Sequence, residues 1–90
     1  MADLSINWEV GGDREVKIAD RAVKDAVFLV RNTGPGNVLV KTWSGLHSHL
    51  TSDDLVLEAH HQRFVFVDHG LSITIDEDGG EASGTAAFCR

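Results

Sequence analysis

The chain has 90 residues, 42% hydrophobic and 24% charged, with a net charge of −6. That balance excludes an intrinsically disordered chain, the length holds a single small core, and no 18-residue apolar run exists to cross a membrane. The eight lysines and arginines are scattered singly and form no basic stripe, so nucleic acid is not an expected partner.

In chain order, Leu4 to Val10 places Ile6, Trp8 and Val10 on one face and Ser5, Asn7 and Glu9 on the other, which predicts a half-buried strand. Gly11-Gly12-Asp13 permits the positive φ angles of a hairpin, and Glu15 to Ile18 resumes the alternation, so the first two strands read as one amphipathic ribbon. Asp20 to Asp25 is polar and too short for more than one or two helical turns, hence a connection. Ala26 to Asn32 is a third strand. In Thr33-Gly34-Pro35-Gly36-Asn37 the proline and the glycine after it fit a type II turn, which puts Gly36 at positive φ and brings a fourth strand, Val38 to Trp43, back beside the third. Ser44 to Asp54 shows no alternation and reads as a long loop, where function tends to concentrate. Leu55 to Glu58, Arg63 to Val67 and Leu71 to Asp76 follow as strands, across the turns Ala59-His60-His61-Gln62 and Asp68-His69-Gly70. Glu77-Asp78-Gly79-Gly80 signals a hairpin, and Ala82 to Cys89 is a final strand. Seven or eight short strands at even spacing predict an all-β fold, a small antiparallel β-sandwich of immunoglobulin-like or jelly-roll-like type, with residues 1–90 as one domain.

Four of these stretches are apolar on consecutive residues: Ala26 to Val30, Val38 to Val40, Leu55 to Leu57 and Phe64 to Val67. Successive strand residues point to opposite faces, so both faces of these strands are apolar and only one can enter the core. The other calls for a cover, most cheaply a second copy of the chain, or else another protein. Phe28, Val30, Phe64, Phe66 and Trp43 are the candidate interface residues. The alternative cover is the chain itself, through the 20–25 connection and the 44–54 loop.

Asn32-Thr33-Gly34 followed by Val38-Leu39-Val40, and later Leu55-Val56-Leu57 with a polar turn before Arg63-Phe64-Val65-Phe66, resembles the pattern of bacterial immunoglobulin-like adhesion and accessory modules. The resemblance covers residues 26–76. In those modules the turn before the second hydrophobic pair usually carries Pro-Gly, where this chain has Ala59-His60-His61-Gln62. It implies a β-sandwich fold and carries no catalytic or ligand residue.

Five histidines lie between positions 47 and 69. If strands alternate in direction, His47, His49 and His69 share one end of the sandwich and His60 and His61 the other. Imidazole at His-x-His spacing suits a tetrahedral metal site, so His47, His49 and His69 are the candidate ligands, although solvated loop histidines give the same pattern. No Gly-x-Ser-x-Gly elbow supports a nucleophile, and the chain reads as a non-enzyme with no cofactor. Cys89 has no partner for a disulfide, and Met1-Ala2-Asp3-Leu4-Ser5 lacks the basic start and apolar core of a signal peptide. The expectation is a cytoplasmic protein, or one exported without such a peptide, as in a phage or secretion-system assembly. The functional expectation is a self-associating structural or protein-interaction module, with a metal- or carbohydrate-binding sandwich, using the histidine-bearing end, as the alternative.

Overall fold

The computed structural model describes residues 5–12, 14–20, 23–46, 49–76 and 80–90, with side chains at all of these except 46, 49 and 50. Its elements are β1 (Ser5–Gly11), β2 (Glu15–Ala19), β3 (Ala26–Pro35), β4 (Val38–Leu46), β5 (His49–Leu57), β6 (Gln62–Val67), β7 (Leu71–Ile75) and β8 (Glu81–Phe88), with no helix among the described residues.

Pairing follows a simple rule. β1 pairs with β8, β2 with β7, β3 with β6 and β4 with β5, all antiparallel, so the chain is one long hairpin with its tip between β4 and β5. Rolling that ribbon brings β8 against β3 and β7 against β4. Two four-stranded sheets result, β1-β8-β3-β6 and β2-β7-β4-β5, packed face to face. Of the two sandwich types expected, this is the jelly roll; an immunoglobulin sandwich distributes its strands differently. The expected ribbons of strands 1 with 2 and 3 with 4 are therefore corrected. Gly11-Gly12 and the 35–37 turn carry the chain from one sheet to the other, and β4 and β5 are the sequence neighbours that pair directly.

The core takes one face of each sheet. Trp8, Val10, Phe28, Val30, Val65 and Val67 enter from the first, and Val38, Val40, Leu57, Leu71 and Ile73 from the second. Phe28 and Val30, expected at an interface, are instead core residues at 7% and 0% exposure. They alternate in β3 with Val27, Leu29, Arg31 and Thr33, and the two polar members of that second set mark it as the solvent side.

Between the sheets, Asn32 is fully buried and fully bonded. Its Nδ2 donates to the carbonyls of Gly36 at 2.9 Å and Leu57 at 3.0 Å, and its Oδ1 accepts from the Gly34 N–H at 2.8 Å. Its backbone N–H donates to His61 O, and its carbonyl accepts from His60 N–H. One side chain thus joins β3, the 34–36 turn and the end of β5 across the sandwich.

That turn is not of type II as read from the sequence. β3 continues through Pro35, paired with Ala82 of β8, and the positive φ falls on Gly34 at 86° rather than on Gly36. Gly36 is needed for closeness instead: its N–H donates to Glu81 O at 2.8 Å, and a Cβ there would lie 2.9 Å from that oxygen and 3.2 Å from Ile75 Cδ1. Gly36→Val is expected to destabilise by about 1–3 kcal/mol through this overlap. Urea titration checks it, and a change of a few tenths would show that the β8 backbone yields freely.

The 44–54 segment, expected as a loop, is a hairpin arm. β4 and β5 stay in register from Val38 opposite Leu57 to Leu46 opposite His49, whereas β7 accompanies β4 only from Val38 to Thr42. Beyond Thr42 the two strands run on without β7 beside them, and Thr51 to Asp54 on β5 are exposed. Apolar alternation is absent from Thr51 to Asp54, whose side chains are exposed rather than packed in the core.

Candidate interaction surface

The outer face of the first sheet carries the largest exposed side chains. Antiparallel partners across β3 and β6 are Val27 with Phe66, Leu29 with Phe64 and Arg31 with Gln62, and β8 adds Ala87 opposite Leu29. All point away from the core, because their strand neighbours Phe28, Val30, Val65, Val67 and Ala86 point into it. Phe64 is 66% and Phe66 60% exposed, while Val27, Leu29 and Ala87 are half-buried at the base of the patch. Arg31 Nε donates to Gln62 Oε1 at 3.2 Å and closes one end with polar groups. Neither the 23–25 part of the connection nor the 44–54 arm covers this face. Val23 packs on the core, and the arm belongs to the other sheet.

Phe64 and Phe66 are thus placed together as the sequence suggested, and Trp43 is not with them. It lies half-buried in the second sheet, opposite Ser52 on the arm. Arg31, Gln62 and Ala87 were not singled out in the sequence. The period-2 alternation of β3 and β6 places Arg31 and Gln62 beside the aromatic residues, which was the available signal.

His47 lies outside the described residues. His49 opens β5 opposite Leu46. His69 reaches the same end of the sandwich: its Nε2 is 3.2 Å from Gly45 O on the arm and 3.7 Å from Asp68 Oδ2. The described residues hold no group of three or more His, Cys, Asp or Glu arranged for a metal ion. His60 sits in the turn between β5 and β6 at φ 68°, its imidazole over Gly34. Cys89 is exposed, with Sγ directed at Ala87 O.

Two clefts open elsewhere. A groove of about 660 Å³ lies among Glu9, Gly12, Arg14, Pro35, Glu81 and Ser83, where the turns after β1, β3 and β7 meet. A smaller one of about 350 Å³ lies at the opposite end, between Ile6, Ile18, Val23, Phe28 and Phe88. Phe88 leans on Phe28 at a centroid distance of 5.5 Å, so this second cleft is an extension of the core.

No helix among the described residues is long and apolar enough to cross a membrane. No family model matches the chain, and no curated protein does. Among solved structures, the crystal structure of PirA is similar: it superposes with a TM-score of 0.74 at 12% sequence identity, covering 99% of this chain and 96% of that one. At that identity the likeness is one of fold.

Proposed function

We propose that the protein is a non-catalytic, self-associating β-sandwich module, an assembly or protein-interaction subunit that works through the outer face of its first sheet. The observation that carries this reading is the pair Phe64 and Phe66, side by side on β6 and 66% and 60% exposed. Together they leave roughly 250 Å² of aromatic surface in water, given about 200 Å² for a whole Phe side chain. At ~25 cal/mol per Å² that surface forgoes about 6 kcal/mol, comparable to the entire stability of a small domain. A net charge of −6 and scattered basic residues support a protein partner over nucleic acid. In this reading the module needs no cofactor and works in the cytoplasm, or outside it after export without a signal peptide.

Light scattering at micromolar concentration tests the proposal. Wild-type protein is expected above the mass of one chain, and Phe64→Glu with Phe66→Glu is expected to be monomeric. Both positions face solvent in the single chain, so the double variant should still fold, with a cooperative urea transition that does not depend on protein concentration, whereas that of wild type should. A wild type of 9.8 kDa throughout would end the self-association reading.

A further inference from the structure

β6 ends the first sheet: β3 lies on one side and, among the described residues, no strand lies on the other. Which backbone groups face the open side follows from the hydrogen bonds on the other side of β3. Val27 N–H donates to Arg90 O and Cys89 N–H donates to Val27 O, so the odd residues of β3 bond toward β8 and its extension. Hydrogen bonding alternates along an antiparallel strand, so the even residues of β3 bond toward β6, as Asn32 N–H does to His61 O. Phe28 and Ala26 face Val65 and Val67, which therefore spend their backbone groups on β3. Gln62, Phe64 and Phe66 turn theirs outward. The residues with the most exposed side chains thus also hold the unpaired edge donors and acceptors.

We infer that two copies of the chain join edge to edge along β6, antiparallel, with Val65 on the two-fold axis, so that the two first sheets become one continuous eight-stranded sheet. This rests on the self-association proposed above and specifies how it is made. The register follows from chemistry. Centring the pair on Val65 sets Phe64 opposite the partner's Phe66, and Phe66 opposite the partner's Phe64, a four-ring cluster on one face. The same register sets Gln62, already holding Arg31, opposite the partner's Asp68, so the cationic end of each strand meets the anionic start of the other's turn. Centring on Phe64 instead would set Gln62 against the partner's Phe66 and lose both matches. The isologous arrangement closes after two copies and hides the aromatic edge of the first sheet. Aromatic surface of roughly 250 Å² per copy is well below the ~800 Å² per partner of a standard interface, so backbone bonds at the edge are a necessary part of it.

Sedimentation equilibrium on wild type, Phe64→Leu and Phe64→Pro tests this, together with amide exchange of the wild type at low and high concentration. Proline at 64 removes an outward N–H and leaves the β3 side of the ladder intact, while leucine removes the ring and keeps the N–H. Expected are a wild-type dimer, Phe64→Pro at least about tenfold weaker in association than Phe64→Leu, and slower exchange of the Phe64 and Phe66 amides as the dimer forms. Equal dimerisation of the two variants, with those amides unprotected in the wild-type dimer, would overturn edge pairing while leaving self-association standing. A wild type that stays monomeric, with exchange independent of concentration, would overturn both. Should Phe64→Pro fail to fold, the wild-type amides decide alone.

Discussion

Gly84→Ala is expected to cost at least about 3 kcal/mol, the upper range for overpacking a core and a large share of the roughly 5–13 kcal/mol available to a chain of this length. Gly84 lies in β8 between Trp8 of β1 and Asn32 of β3. A Cβ there would collide with the Arg31 carbonyl oxygen and come within 2.5 Å of Trp8 Cζ2. Neither neighbour can give way: the carbonyl is backbone at the register shift between Asn32 and Gly34, and the indole is 2% exposed, with its Nε1 unpaired among the described residues. Gly12→Ala is the control, since a Cβ at that site meets nothing within 4 Å and faces only its φ of 59°. It should cost about 1 kcal/mol. Urea unfolding followed by tryptophan fluorescence measures both, and a Gly84→Ala loss near that of Gly12→Ala would mean that β8 stands further from β3 than described.

Asn32→Ala is expected to cost about 3–5 kcal/mol, because it strands two buried backbone groups and one part-buried one at 1–3 kcal/mol each. The groups are the Gly34 N–H and the carbonyls of Gly36 and Leu57. Asn32→Asp keeps an acceptor for Gly34 but turns a carboxylate oxygen toward two carbonyls, so it should be no better tolerated. Denaturant midpoints give the energies, and amide exchange at Gly34 gives the location, being faster in the alanine variant, which loses its acceptor, than in the aspartate variant, which keeps it. A loss below about 1 kcal/mol for alanine would place water in the cavity and demote the side chain from strut to filler.

Strand positions were legible because turns and β-branched runs report on a few adjacent residues. Of Ile6, Trp8 and Val10, read as one face against Ser5-Asn7-Glu9, Trp8 and Val10 are core at 2% and 3% exposure, while Ile6, at the strand's start, is 43% exposed. What failed depends on partners far along the chain. Gly36 was assigned the left-handed conformation that belongs to Gly34, because extension of β3 through Pro35 is dictated by β8, some fifty residues on. Phe28 and Val30 could not be told from Phe64 and Phe66 as interface residues. Hydrophobicity is equal on the two sides of β6, where Arg63 and Gln62 precede the two sets alike, and only Arg31 and Thr33 in β3 break the tie. The candidate surface was therefore half visible: its aromatic residues were named, but their grouping with Leu29, Ala87 and the Arg31–Gln62 pair required the sheet order.

The rolled ribbon also sets an order of assembly. Leu46 and His49 pair across three residues of chain, whereas Ser5 and Ala87 pair across eighty-two. Closing a loop costs about 0.6 kcal/mol more per doubling, so roughly five doublings separate the tip from the ends, about 3 kcal/mol of entropy. Zipping outward from the β4–β5 tip meets that cost in small steps, each pair of strands shortening the loop the next must close. The β3–β6 ladder, with its open aromatic edge, then forms before β1 and β8 seal the ends. A nascent molecule of this kind presents its adhesive edge while its termini are still free, and high dilution during refolding is the condition that favours correct closure over premature capture by a neighbour.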